Sequence, residues 1–185
     1  MLQAQPVFYY DLGDPGCYLV AERIMTALPA IPEWEPVLGS DLAGADLVAD
    51  WAEIEHAAAA QGLQPFRWPA RWPPDTRFAM LAATYAKRIG RAVAFSLAAF
   101  RQAFAGGRDL GDRDTVLIAA AACEMHPTAL LKALELRSVG DALSTATARA
   151  RAAGVVSLPA VGVEGGLFCG GDAIEAAAAA LEAAG

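Results

Sequence analysis

The sequence predicts an α/β chain in which a β-α-β start and a β-β-α close flank a block built of helices. Three observations carry this. Short β-branched and aromatic runs stand near the two ends, at Val7-Phe8-Tyr9-Tyr10 and at Val161-Gly162-Val163 with Leu167-Phe168-Cys169. Between them, apolar residues recur at spacings of three and four, the helical period. Alanine makes up 44 of the 185 residues and is concentrated in the middle and in the last helix, where a strong helix former with a small packing surface belongs.

Val7 to Asp11 reads as a buried strand that ends in the turn Asp11-Leu12-Gly13. Asp14-Pro15 then opens a helix, with Asp14 as N-cap and Pro15 at the first helical position. Tyr18, Leu19, Ile24, Met25 and Leu28 give that helix its apolar surface, and Pro29 ends it. Glu33 to Leu38 fits a second strand, which Pro36 demotes towards a sheet edge.

The middle begins with a helix over Asp46 to Gln61, where Leu47, Trp51 and Ile54 share one face. Gly62 to Asp75 is a loop stiffened by Pro65, Pro69, Pro73 and Pro74, and it carries Phe66, Trp68 and Trp72. Phe78, Leu81, Ala82, Tyr85 and Ile89 then form one helical stripe, interrupted at Gly90. Further helices are expected over Val93 to Phe104, Thr115 to Glu124 (capped by Asp112 or Asp114), Pro127 to Arg137, and Val139 to Ala153. After Gly154 the character changes. A loop through Leu158-Pro159 enters a strand ending near Val163, Glu164-Gly165-Gly166 turns the chain, and Leu167 to Cys169 forms the partner strand. Asp172 caps a final helix, Ala173 to Ala184.

The composition limits the function. Without alanine, the 56% hydrophobic content falls to about 32%, ordinary for a globular protein. No apolar run reaches the ~20 residues of a membrane-spanning helix. The net charge of −7 argues against a general nucleic-acid binder. Cys17, Cys123 and Cys169 are too few for a disulfide scaffold. Met1 to Pro6 has neither a basic segment nor an apolar core of the secretory kind, so a cytoplasmic location is expected. His56 and His126 match no metal-ligand spacing, and no metal is expected.

The order β-α-β, helical block, β-β-α is that of a thioredoxin-like fold with a large all-helical insertion. This divides the chain into a first thioredoxin-like part (1–40), the insertion (41–153) and a second thioredoxin-like part (154–185). The opening Phe8-Tyr9-Tyr10-Asp11-Leu12-Gly13, followed by Pro15 and Tyr18-Leu19, resembles the DsbA-like superfamily. Within it, the likeness is to the branch of 2-hydroxychromene-2-carboxylate isomerases and kappa-class glutathione transferases. Ala86-Lys87-Arg88-Ile89-Gly90 and Leu167-Phe168-x-Gly170-x-Asp172 resemble the same branch.

This resemblance implies a glutathione-dependent isomerase or transferase acting on a small aromatic or electrophilic compound, with glutathione as cosubstrate and a homodimer as an open possibility. It implies a cis-proline at Pro159. The backbone at Leu158 and Pro159 would hold the cysteinyl part of glutathione, and Gly171 and Asp172 its γ-glutamyl end. Asp14 and Cys17 would flank the sulfur as catalytic residues. Pro15, Tyr18, Trp68, Trp72 and Asp75 would line the substrate pocket.

The quartet Asp14-Pro15-Gly16-Cys17 departs from the pattern, because neither the redox cysteine nor the isomerase serine occupies its first position. An ionised Asp14 accepts hydrogen bonds and donates none. Beside a thiolate, it would cost on the order of 1–4 kcal/mol at 4 Å. Alternatives therefore stay open. Asp14 is a helix cap, a catalytic carboxylate or both. Cys17 is a quiet half-buried thiol, a dipole-activated nucleophile or a redox partner of Cys169. Cys123 reads as core. Pro159 alternatively just starts a strand, Asp172 just caps a helix, and the tryptophans anchor their loop. A DsbA-like thiol-disulfide oxidoreductase using Cys17 is the second function, and a catalytically inactive binding protein of the same fold is the third.

Overall fold

The computed structural model describes residues 5–42 and 50–184. The first strand, β1 (Val7–Tyr10), is followed by α1 (Pro15–Ala21), the short α2 (Ile24–Ala27) and β2 (Glu33–Pro36). Among the described residues, a single 3-10 turn (Gly39–Asp41) and then six α-helices come next: α3 (Trp51–Ala60), α4 (Arg77–Arg88), α5 (Ala92–Phe104), α6 (Arg113–Ala122), α7 (Pro127–Leu134) and α8 (Arg137–Ala152). The hairpin β3 (Ala160–Val163) and β4 (Gly166–Cys169) leads to α9 (Ala173–Ala184). The helix expected over Asp46 to Gln61 begins only at Trp51, because Asp50 is an extended N-cap whose carboxylate accepts the Glu53 N–H; 46–49 lie outside the described residues.

The sheet order is β2-β1-β3-β4. The β1–β2 pair is parallel and pairs Phe8 with Trp34, whereas β1–β3 and β3–β4 are antiparallel. Pro36 sits on the edge strand β2, where a residue without an N–H costs no ladder bond. This is a thioredoxin-like arrangement, with the helical block inserted between β2 and β3.

Other expected helix ends in the insertion moved by up to three residues, with α6 over Arg113–Ala122, α7 ending at Leu134 and α8 beginning at Arg137; two shifts in the first thioredoxin-like part have a visible cause. The helix opened by Pro15 breaks at Glu22–Arg23, where the Arg23 N–H bonds back three residues to the Val20 carbonyl. The broken turn places Glu22 against Arg101 of α5, at 2.7 Å for both contacts, and Arg23 against Glu175 of α9. The second strand ends at Pro36 rather than Leu38, because the Leu38 N–H leaves the sheet for Thr147 Oγ1 of α8 at 3.0 Å.

Side chains alternate across β1. Phe8 and Tyr10 are fully buried on one face, where Tyr10 meets Phe100 and its hydroxyl pairs with Ser96 Oγ at 2.7 Å. That core continues through Tyr18, Phe95, Phe100 and Phe104, so β1, α1 and the insertion helix α5 share one apolar interior. On the other face, Tyr9 and Leu167 pack beside Val37, Ala146, Ala150 and Ala160 under α8. Alanine lets α8 approach this face closely. Glu35, nearly buried, is met there by Lys87 at 2.8 Å and Arg149 at 3.0 Å.

Candidate functional site

The N-terminus of α1 is built by two aspartates. Asp14 is the N-cap, with extended backbone, and its Oδ1 accepts the Cys17 N–H at 2.9 Å. Such a cap stabilises a helix by roughly 0.5–2 kcal/mol over alanine. Asp11, which sequence reasoning treated only as a turn residue, lies beneath it. Its carboxylate accepts from the Gly13 N–H at 2.9 Å, the Gly39 N–H at 2.8 Å and Thr76 Oγ1 at 3.1 Å. It thereby ties the end of β1, the segment after β2 and the start of α4 into one support. Its aspartate-leucine-glycine turn was the signal that could have marked it.

Facing α1 is Pro159, joined to Leu158 by a cis peptide bond. Gly16 lets the two approach. A Cβ at Gly16 would lie 3.1 Å from both Pro159 Cδ and Asp14 Oδ1. Among the described residues, no hydrogen bond within the chain uses the Leu158 backbone, while the next carbonyl, of Pro159, accepts from the Gly170 N–H at 2.8 Å. The Leu158 backbone is thus available for strand-like pairing with a ligand.

A cavity of about 440 Å³ opens between these parts. Asp14, Pro15 and Gly16 form one wall, Leu158 and Pro159 a second, and Gly171 and Asp172 at the start of α9 a third. Trp72 closes it, its Nε1 donating to the Gly13 carbonyl at 3.2 Å. The face of α3 completes it with Asp50, Glu53, Ile54 and Gln61, residues that no spacing in the sequence tied to the site.

Four residues expected at the site stand elsewhere. Tyr18 is 2% exposed and packs against Phe66, Phe100 and Phe104, because its place on α1 faces the core. Trp68 anchors its loop: it stacks on Trp51 at 4.3 Å, and its Nε1 donates to Glu55 at 3.0 Å. Asp75 is exposed and accepts the Arg77 N–H at 3.1 Å as α4 begins. Cys17 is fully buried and does not line the cavity. Burial pushes its thiol well above the ordinary range, and the Asp14 charge adds to this. A thiol held protonated is a poor nucleophile. Cys169 is exposed at the end of β4, Cys123 is buried, and all three thiols are free.

Asp14 is 8% exposed. Burial raises its carboxyl from 3.8 to about 7, opposed by the Cys17 N–H and assisted by the nearby Asp11. Near neutral pH, a large fraction of Asp14 is therefore protonated and can donate a hydrogen bond. Burial removes the sequence-based objection that aspartate only accepts.

A helix N-terminus facing a cis-proline across a cleft, on this sheet, defines a thioredoxin-fold protein of the DsbA type. The chain belongs to the DSBA-like thioredoxin domain family, whose family model matches residues 7–182. Among solved structures, it is similar to a 2-hydroxychromene-2-carboxylate isomerase, with TM-score 0.85, 15% identity, and coverage of 98% of this chain and 96% of the other. It is also similar to a probable DsbA oxidoreductase from Streptomyces coelicolor, with TM-score 0.79, 19% identity, and coverage of 97% and 89%. The cytosolic disulfide reductase DsbM from Pseudomonas aeruginosa, solved with GSH, matches with TM-score 0.64, 16% identity, and coverage of 98% of both chains. These likenesses establish the fold. Comparison with curated proteins found no match.

Proposed function

We propose that this protein is a glutathione-linked isomerase or transferase acting on a small aromatic or electrophilic compound. The observation that carries the reading is the cavity itself, where Asp14 and the α1 N-terminus face the Leu158 backbone, which makes no hydrogen bond among the described residues, before cis-Pro159. The similarity to an isomerase structure and to a reductase solved with GSH supports it.

Each part has a task in this reading. The Leu158 backbone pairs with the cysteinyl unit of glutathione. Asp172 meets the γ-glutamyl ammonium, while N–H groups at the start of α9 face its carboxylate. The α1 N-terminus favours the thiolate over the thiol. Protonated Asp14 donates a hydrogen bond to that sulfur, the task of serine in the isomerases this sequence resembles. Trp72 and Pro15 wall a planar substrate. The thiolate adds to the β-carbon of a conjugated carbonyl compound, and the π electrons move onto the carbonyl oxygen. The former double bond rotates, or a ring opens. Collapse of the enolate then reforms the double bond and expels the thiolate, so glutathione is regenerated.

The thiol-disulfide alternative has less support, since Cys17 is buried and position 14 holds no sulfur. Calorimetric titration with millimolar glutathione tests the main reading. Heat of binding with a matching rise in melting temperature is expected; neither signal would overturn it.

A further inference from the structure

Among the described residues that line the cavity, Asp14 is the one buried side chain that can gain or lose a proton. These residues include no serine, threonine, tyrosine, histidine, lysine or cysteine. The other carboxyl groups, on α3 and α9, are exposed. Arg23 keeps its charge and is paired with Glu175. Trp72 already gives its N–H to the Gly13 carbonyl.

The place of the Asp14 carboxyl matters as much as its burial. Asp14 Oδ1 and Pro159 Cδ each lie 3.1 Å from the point where Gly16 would carry a Cβ, so they stand at most twice that distance apart. The carboxyl thus borders the Leu158–Pro159 segment, the backbone assigned above to the cysteinyl unit of glutathione. A sulfur held from that backbone has Asp14 as its neighbouring acid. The carbon next to the one it attacks is a single bond further on, within reach of the same group. Burial, with Asp11 behind it, raises the Asp14 carboxyl from 3.8 to about 7. Acid and carboxylate therefore coexist near neutrality, where a proton passes readily in either direction.

Resting on the reading under Proposed function, we infer that Asp14 carries the thiol proton to the substrate, so that the site completes a net addition of glutathione across the double bond of an α,β-unsaturated carbonyl compound. The carboxylate takes the S–H proton and leaves the electron pair on sulfur. The thiolate forms the S–C bond at the β-carbon, and the π pair moves into an enolate. The Asp14 O–H then gives its proton to the α-carbon, which restores both the carbonyl and the carboxylate. One S–H bond and one C=C π bond are lost, one S–C and one C–H bond are gained, and no outside oxidant or reductant enters. Protonation forestalls expulsion of the thiolate, so the product is a saturated thioether and the activity is that of a transferase. Sulfur and hydrogen arrive on the same face, because both come from the Asp14 side.

The test incubates the full-length protein in deuterium oxide with glutathione and either cis- or trans-benzylideneacetone, and reads the products by NMR and mass spectrometry. Both ketones are expected to give the thioether faster than without protein, with one deuterium at the α-carbon on the face that sulfur entered. Asp14→Asn and Asp14→Ser both keep a helix cap. Each is expected to add glutathione about 100-fold more slowly, with the deuterium of the residual product no longer confined to one face. Conversion of the cis to the trans ketone by the native protein without thioether would overturn the relay and leave the glutathione-linked reading standing. So would undiminished addition by Asp14→Ser, or glutathione binding with neither ketone consumed. Absence of glutathione binding by calorimetry would overturn both.

Discussion

Gly16 and Pro159 meet across the cleft so closely that a methyl group on Gly16 would stand 3.1 Å from the proline Cδ. One residue opens α1 and the other introduces β3, and they lie 143 positions apart in the chain. The contact sets the spacing between the N-terminus of α1 and the Leu158 backbone, the two parts that the proposed function assigns to a bound thiol.

Gly16→Ala is expected to retain the fold. The added methyl also lies 3.1 Å from Asp14 Oδ1, so both walls must give by a few tenths of an ångström. Glutathione affinity should fall by about five- to tenfold, since binding groups lose value steeply when misplaced. Calorimetry beside a thermal melt separates this from unfolding. Unchanged affinity would show that the contact does not set the site.

Asp14 gives the protein a pH-dependent stability of definite sign. The group titrates near 3.8 in an unfolded chain and at about 7 in the folded one. The fold therefore holds the proton more tightly. The stabilisation is complete below pH 3.8 and is lost as the pH rises through 7. The full effect is on the order of 4 kcal/mol. Asp14→Asn keeps a cap oxygen and carries no charge. Its stability relative to the native protein should rise between pH 4 and 7 and level off above about pH 8. Urea unfolding across that range measures it, and a pH-independent difference would refute the assignment.

The same titration bears on binding. If protonated Asp14 donates to the sulfur, glutathione affinity should fall between pH 6 and 8 in the native protein, and Asp14→Asn should flatten that change. Parallel titrations at three pH values decide it; identical profiles would remove Asp14 from the thiol site.

Thiol reactivity should follow exposure. Iodoacetamide applied to the native protein is expected to label Cys169 alone, with Cys17 and Cys123 reacting after denaturation. Mass spectrometry of the digest reads this directly. Rapid native labelling of Cys17 would revive the oxidoreductase reading.

Asp11→Ala should destabilise more than a typical surface change, because it leaves three donors on Gly13, Gly39 and Thr76 without their acceptor. A loss of about 2–4 kcal/mol is expected. Denaturant unfolding checks it, and a change within 0.5 kcal/mol would show that water replaces the carboxylate.

Most of the architecture was legible in local pattern. The strand runs, the Asp14-Pro15 helix start, the Pro36 edge, the glycine and proline breaks of the insertion and the closing hairpin all depend on residues within a few positions of one another. So does the cap at Asp14. The site was legible in part, through the spacing of the quartet and the Leu158-Pro159 element. Trp68 and Tyr18 were misplaced because an aromatic side chain fits a core or a cleft equally well by its chemistry. Which one it fills depends on the face its neighbours cover.

The sequence alone determined the class of fold, the order of its elements and the chemical types at the first helix N-terminus, because helical period, caps and turns are short-range properties. Tertiary structure decided the rest. It buried Asp14 until its carboxyl holds a proton near neutrality, buried Cys17 so that its thiol is pushed above the ordinary range, and brought the acids of α3 and α9 onto one cavity. Burial and charge proximity are sums over groups distant in the chain, and they exist only once the chain has packed.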